Sequence, residues 1–322
     1  MRQLGLLVIG LFFGWSSMAQ SGYAINVNVK GYTSSNIQLA NFLMDKQYLV
    51  DTAYLEEGHY VFKGEEPLPG GVYLVILPPD NQYFQVLIPP TDQQFSIQTS
   101  LEGLTENLVF KDSPENERFY KYLAFLAEQG EKAQPLRTEL KQTREEGKST
   151  KKLEKELSAI DEAVKARQTA FMEDHPESVG AQLIKATLEP NIPEFEGDKK
   201  TVDLKRYQYF RQHYFDNIDL GNPVMLRTPL LFQKVDDYIN KYTIQHPDSI
   251  KRSLDLVLGR MEAAPETFKY YLVHFLNYYA KSKYIGQDAV YVHLVENYYA
   301  KGKADWTDEE QLNKIIENAK TL

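Results

Sequence analysis

The sequence predicts an α+β protein: an antiparallel β sandwich followed by an all-helical region that opens with a long helical hairpin. Three observations predict it. Residues 23 to about 110 carry short runs with a period of two between turn signals. From Ser113-Pro114 onward the apolar spacing changes to three and four. No strand–helix–strand alternation occurs, which argues against a parallel doubly wound sheet.

The first segment reads as an address. Met1-Arg2-Gln3 supplies a positive charge, Leu4 to Trp15 is apolar apart from three glycines, and Ser17 and Ala19 place small residues before a cleavage point. This is the grammar of a secretory signal peptide over residues 1–19. The apolar run is about 12 residues, short of the roughly 20 needed to span a bilayer. The expectation is an exported protein of the periplasm or cell envelope, with no membrane span after cleavage.

The β region is expected over residues 20–112. Ile25, Val27 and Val29 alternate with Asn26, Asn28 and Lys30, as in a half-buried strand. Ile37 to Phe42 is the next strand candidate, and residues 48–63 read as a hairpin around Glu56-Glu57-Gly58-His59. Val72 to Leu77 is a continuous apolar run, and Tyr83 to Ile88, Phe95 to Ile97 and Leu108 to Phe110 follow between turns. Seven or eight short strands at this spacing suggest a sandwich or barrel.

The helical region is expected over residues 113–322. Ser113-Pro114-Glu115 has the order of an N-cap, a first-turn proline and a first-turn acid. Phe119, Leu123 and Leu126 form one seam; Leu153, Leu157, Ile160, Val164 and Phe171 form another. With the break at Gly147-Lys148-Ser149 they predict a hairpin over 113–175. Its mixed charges read as a solvated face with weak ion pairs. Shorter helices are expected over 176–322, at 177–188, 200–216, 229–245, 248–262, 265–283, 287–300 and 308–320. Thr307 and Glu310 have capping-box spacing.

Composition narrows the chemistry. Hydrophobic residues are 43% and charged residues 25%, ordinary for a globular protein. The formal charge is −9, so no clustered positive charge suggests a nucleic-acid partner. With no cysteine, thiol catalysis, disulfides and Cys-ligated metals are excluded. No phosphate-binding loop, dinucleotide fingerprint, zinc-protease motif or serine elbow is present in the sequence. The six histidines have no metal-site spacing; His175 and His246 precede prolines and read as partners for helix C-termini. No catalytic residue, metal set or cofactor is expected. Paired carboxylates for a glycan hydrolase stay an alternative that sequence spacing alone does not support.

The aromatic residues are the informative anomaly. Tyr207, Tyr209, Phe210, Tyr214 and Phe215 crowd one expected helix, Tyr270, Tyr271, Phe275, Tyr278 and Tyr279 a second, and Tyr298 and Tyr299 a third. Adjacent rings cannot share a helical face. They fill a helix–helix core, or some of them, with Tyr207, Tyr214, Tyr271, Tyr278 and Tyr299 as the candidates, form a partner surface.

The order of parts resembles a known family. It rests on Ile37-Gln38-Leu39-Ala40, Leu49-Val50-Asp51-Thr52-Ala53 and Gly58-His59-Tyr60-Val61-Phe62-Lys63-Gly64. Gly71-Val72-Tyr73-Leu74-Val75, Phe95-Ser96-Ile97-Gln98-Thr99 and Ser113-Pro114-Glu115-Asn116 complete it. The chain is similar to the N-terminal part of exported thioredoxin-like proteins of Bacteroidota. There a β domain of unknown function (4369 type) precedes a helical domain of unknown function (5106 type), and a thioredoxin-fold domain with a Cys-x-x-Cys pair usually follows. The resemblance implies a redox neighbourhood, but no position here matches a redox residue. The resulting expectation is a non-catalytic exported binding or accessory module. Its partner would be a thioredoxin-like protein or that protein's client. The alternative is a truncated product of a longer thioredoxin-family redox protein.

Overall fold

Eight strands precede nine α-helices in the computed structural model, which describes residues 22–322. The expected leader, residues 1–19, lies outside the described residues. The strands are β1 (Tyr23–Lys30), β2 (Asn36–Leu43), β3 (Lys46–Glu56), β4 (His59–Gly64), β5 (Gly71–Leu77), β6 (Gln82–Ile88), β7 (Gln94–Ser100) and β8 (Val109–Lys111). They form one ladder in the order β6-β5-β2-β3-β4-β1-β7-β8.

The ladder is mixed. Every neighbouring pair is antiparallel except β1 and β7, which run parallel from Ala24 opposite Gln94 to Lys30 opposite Ser100. The expected α+β order of sheet then helices is found; this one parallel pair departs from the antiparallel pairing expected of the sheet. A period of two reports which side chains share a face, and carries no information on the direction of the neighbouring strand. β3 and β4 are joined only through Leu55–Tyr60 and Glu56–His59. Two four-stranded halves therefore meet at a narrow seam, and the sheet curls around Ile25, Val27, Ile37, Phe62, Val75 and Phe84.

The hairpin follows, as α1 (Pro114–Glu145) and α2 (Lys151–Asp174). α1 closes the curled sheet. The β6 end of the ladder would leave unpaired backbone groups, and Asn116 meets them: its Nδ2 donates to Leu87 O and its Oδ1 accepts from Leu87 N, both at 2.8 Å. One side-chain amide thus stands in for a neighbouring strand. One turn on, the Tyr120 hydroxyl donates to Gln85 O, and its ring lies 4.9 Å from that of Phe110 on β8. The Ser113 hydroxyl makes no helix cap; it accepts from Asn116 Nδ2 at 2.9 Å.

Beyond its base the hairpin is an exposed arm. From Leu123 to the end of α1 only Ala133 is buried, and between Glu154 and Ala170 no α2 residue is. Of the expected seam, Phe119, Leu126 and Phe171 pack together near the base, whereas Leu123 is exposed and departs from that expectation.

The remaining helices are α3 (Val179–Thr187), α4 (Lys199–Gln212), α5 (Pro229–Asn240), α6 (Pro247–Met261), α7 (Pro265–Ala280), α8 (Asp288–Leu294) and α9 (Glu309–Lys320). A 3-10 turn at Pro223–Arg227, absent from the sequence reading, precedes α5. Prolines open α5, α6 and α7. Two further caps differ from expectation, as Ser113 does. His246 is the N-cap of α6, its Nδ1 accepting from Asp248 N, where a C-terminal role was expected. Asp308 caps α9 through Gln311 N at 2.8 Å, so Thr307 is left outside the helix. The expected helix 287–300 is α8 continued by a π turn, Val295–Tyr299, in which Ala300 N donates to Val295 O at 2.8 Å.

Sheet and helices meet over apolar side chains: Val72 and Leu87 against Val179, Leu183 and Val224. Gly71 is required at this junction, since a Cβ there would lie 2.5 Å from Arg227 Cβ. Arg227 is itself buried and donates to both carboxylate oxygens of Glu266, at 2.8 and 2.7 Å. Among the described residues no helix is long and apolar enough to cross a membrane.

Candidate functional site

The five candidate tyrosines do not form one surface. Tyr214, Tyr271 and Tyr299 are buried in the helical core, the first of the two readings of these rings, and the alternative of a partner surface does not hold for these three. Tyr214 packs among Phe210, Phe215, Tyr238 and Tyr242 with ring centroids about 5 Å apart. Tyr214 and Phe215 lie just past the end of α4, and both rings reach Tyr238 of α5. Tyr207 is partly exposed, and its hydroxyl donates to Tyr242 O at 2.8 Å. Tyr278 is exposed beside His274, with centroids 6.3 Å apart.

Tyr271 and Tyr278 share a narrow cavity between α5 and α7 with Asp236, Asn240 and His274. Its free volume is about 10 Å³, room for one water molecule. The Tyr271 hydroxyl is buried and has no hydrogen-bond partner. Burial pushes the His274 ring below its ordinary pKa, against the opposing pull of Asp45 and Asp236. Among the described residues no group of three His, Cys, Asp or Glu gathers as a metal site.

A polar knot sits at the π turn. Asp255 Oδ1 accepts from the Tyr298 hydroxyl at 2.8 Å and meets His293 Nε2 at 2.8 Å. Burial pushes the Asp255 carboxyl up, but these two hydrogen bonds and the His293 charge together hold it below the usual range. The knot ties α6 to α8 and the π turn.

A further carboxyl is placed at the base of α1. Burial pushes Glu115 up, and its Oε1 accepts from Gly180 N at 2.9 Å. This carboxyl locks α1 to the start of α3.

An exposed apolar strand edge lies on the sheet and was not singled out from sequence. β3 pairs with β2 along its whole length to Tyr54, but with β4 only through Leu55 and Glu56. From Lys46 to Val50 every residue is exposed. Tyr48 is 47% exposed, Leu49 61% and Tyr54 63%. Beside this edge, the Tyr23 hydroxyl donates to Asp51 Oδ2 at 2.8 Å and marks where the two halves of the sheet diverge. The preceding turn is anchored, because Leu43 and Met44 pack on the helical core. β3 is thus held firmly on one side and leaves backbone and apolar side chains open on the other. Such an edge is a template for strand addition. The sequence carried one available sign of it: Tyr48, Leu49 and Val50 are consecutive apolar residues where alternation should place a polar one.

Comparison with family models gives two matches. The model described as domain of unknown function (DUF4369) matches residues 23–119, and domain of unknown function (DUF5106) matches residues 139–321. The chain belongs to the DUF5106 family, with a DUF4369 region ahead of it. No curated protein and no solved structure matches the chain.

Proposed function

We propose that the chain is an exported, non-catalytic binding module of the cell envelope, acting on a protein partner. The observation that supports this reading is β3, a long apolar strand paired on one edge and anchored at its tip. Its open edge offers main-chain hydrogen bonds, with Leu49 and Tyr54 as apolar contacts on one face and Tyr48 on the other for an added strand. The resemblance makes a thioredoxin-like protein or its client the first partner to try.

The test is site-specific crosslinking in an envelope extract. A photoreactive residue replaces Tyr54 in one variant and the exposed Tyr284 in another. The expected result is a discrete adduct at position 54 that a Leu49→Lys, Val50→Lys double substitution abolishes. An adduct pattern identical at both positions, or none at 54, overturns the reading.

A further inference from the structure

A second surface lies between α1 and β8, and it is independent of the β3 edge. Here β8 is the last strand of the ladder, paired with β7 alone. Alongside it α1 presents a shallow groove of about 830 Å³. The floor is apolar: Leu108 and Val109 from the sheet side, Leu123, Ala124 and Ala127 from the helix. Val109 is 59% exposed and Leu123 is exposed as well, so this floor is open to water.

The rim is acidic. Glu106, Glu117, Glu128 and Glu131 border the floor, and Lys121 is the one cation among the lining residues. Lys132 pairs with Glu128 at 2.6 Å, but both side chains are more than half exposed, so the pair is weak and exchangeable. The groove residues of α1 run from Glu117 to Glu131, about 21 Å at 1.5 Å per residue. That is the length of a four-turn helix. Ala124 and Ala127 project little from α1, which lets a second helix lie close against it.

We propose that this groove docks a cationic amphipathic helix of about four turns, its apolar stripe on Leu108, Val109 and Leu123 and its Lys or Arg flanks on the glutamates. The charge of the rim selects the occupant. An anionic membrane surface or a nucleic acid would meet four carboxylates in a chain whose formal charge is already −9. A helix of opposite charge gains steering from the same field.

The test uses the full chain and two fluorescent 15-residue helical peptides. Both carry the same leucine stripe; one has lysine flanks and the other glutamate flanks. Anisotropy titrations at low and physiological salt should show binding of the lysine peptide alone, weakening as salt rises. Reversing the rim with Glu117→Lys, Glu128→Lys and Glu131→Lys should lower that affinity at least about ten-fold. Filling the floor with Ala124→Trp should do the same at unchanged charge. Reversing Asp161, Glu162 and Glu173 on α2 to lysine should leave it nearly unchanged. Equal binding of both peptides, or equal losses from the two sets of reversals, overturns the proposal. Circular dichroism confirms that each variant is folded. Tyr54→Ser, which alters the β3 edge, should not affect peptide binding, so failure of either proposal is separable from failure of the other.

Discussion

The base and the arm of α1 are one continuous helix held in two different ways. At the base, Glu115, Asn116 and Tyr122 are buried, and the polar groups of the first two are matched to backbone of β6 and α3. Along the arm almost every side chain is exposed, and the visible contacts are ion pairs such as Lys132 with Glu128. Regular secondary structure therefore says little about what a segment contributes. At the base the hydrogen bonds are shielded from water and costly to break; along the arm water replaces them readily.

That contrast can be broken at several depths. Phe171 packs at the base against Tyr122 and against Gly180, where an added Cβ would lie 3.1 Å from the ring. Phe171→Ala should cost about 4 kcal/mol through lost burial and a cavity, read by urea unfolding. Asn116→Ala leaves Leu87 N–H and C=O without their partner; at roughly 1–3 kcal/mol for an unsatisfied buried group, about 3 kcal/mol is expected. Hydrogen exchange should show the Leu87 amide opening first in that variant.

Glu115 sharpens the comparison through pH. Burial raises its folded-state pKa, so the folded chain holds this proton to higher pH than the unfolded chain does. The stability it confers is complete below the unfolded value, about 4.3, and is lost as pH rises through the folded value. Glu115→Gln keeps an acceptor for Gly180 N–H and never ionises. Its stability relative to the unmodified chain should therefore climb as pH rises above about 4, measured by parallel unfolding curves. The smallest effect belongs to the arm: Lys132→Ala should change stability by no more than about 0.5 kcal/mol, and added salt should shrink the difference further. A larger loss would mean that the arm is not the solvated element its exposure indicates.

Much of the architecture was legible in the residues. The eight strands fall where alternation and turn signals place them, and the prolines at 114, 229, 247 and 265 each open a helix. Three things were not legible for a common reason. The parallel pairing of β1 with β7, the N-cap role of His246 and the π turn at Val295–Tyr299 each depend on a neighbour or a backbone path that local spacing does not encode. The tyrosines show the same limit. Periodicity placed them on helices, but whether a ring is core or surface depends on how many helices surround it. Tyr271 has neighbours all round, while Tyr278, two turns on, faces water.

Local residue chemistry by itself determined the α+β order, the element starts, the hairpin with its break near Gly147, and the absence of thiol chemistry. These follow from backbone preference, capping and composition, which act within a few residues. Tertiary structure alone decided that one asparagine completes the edge of β6, that β3 is left open, and that α1 and β8 enclose an acid-rimmed groove. Each of these joins segments far apart in sequence, and the pairing of a backbone edge or the matching of charges across a gap is set by three-dimensional proximity.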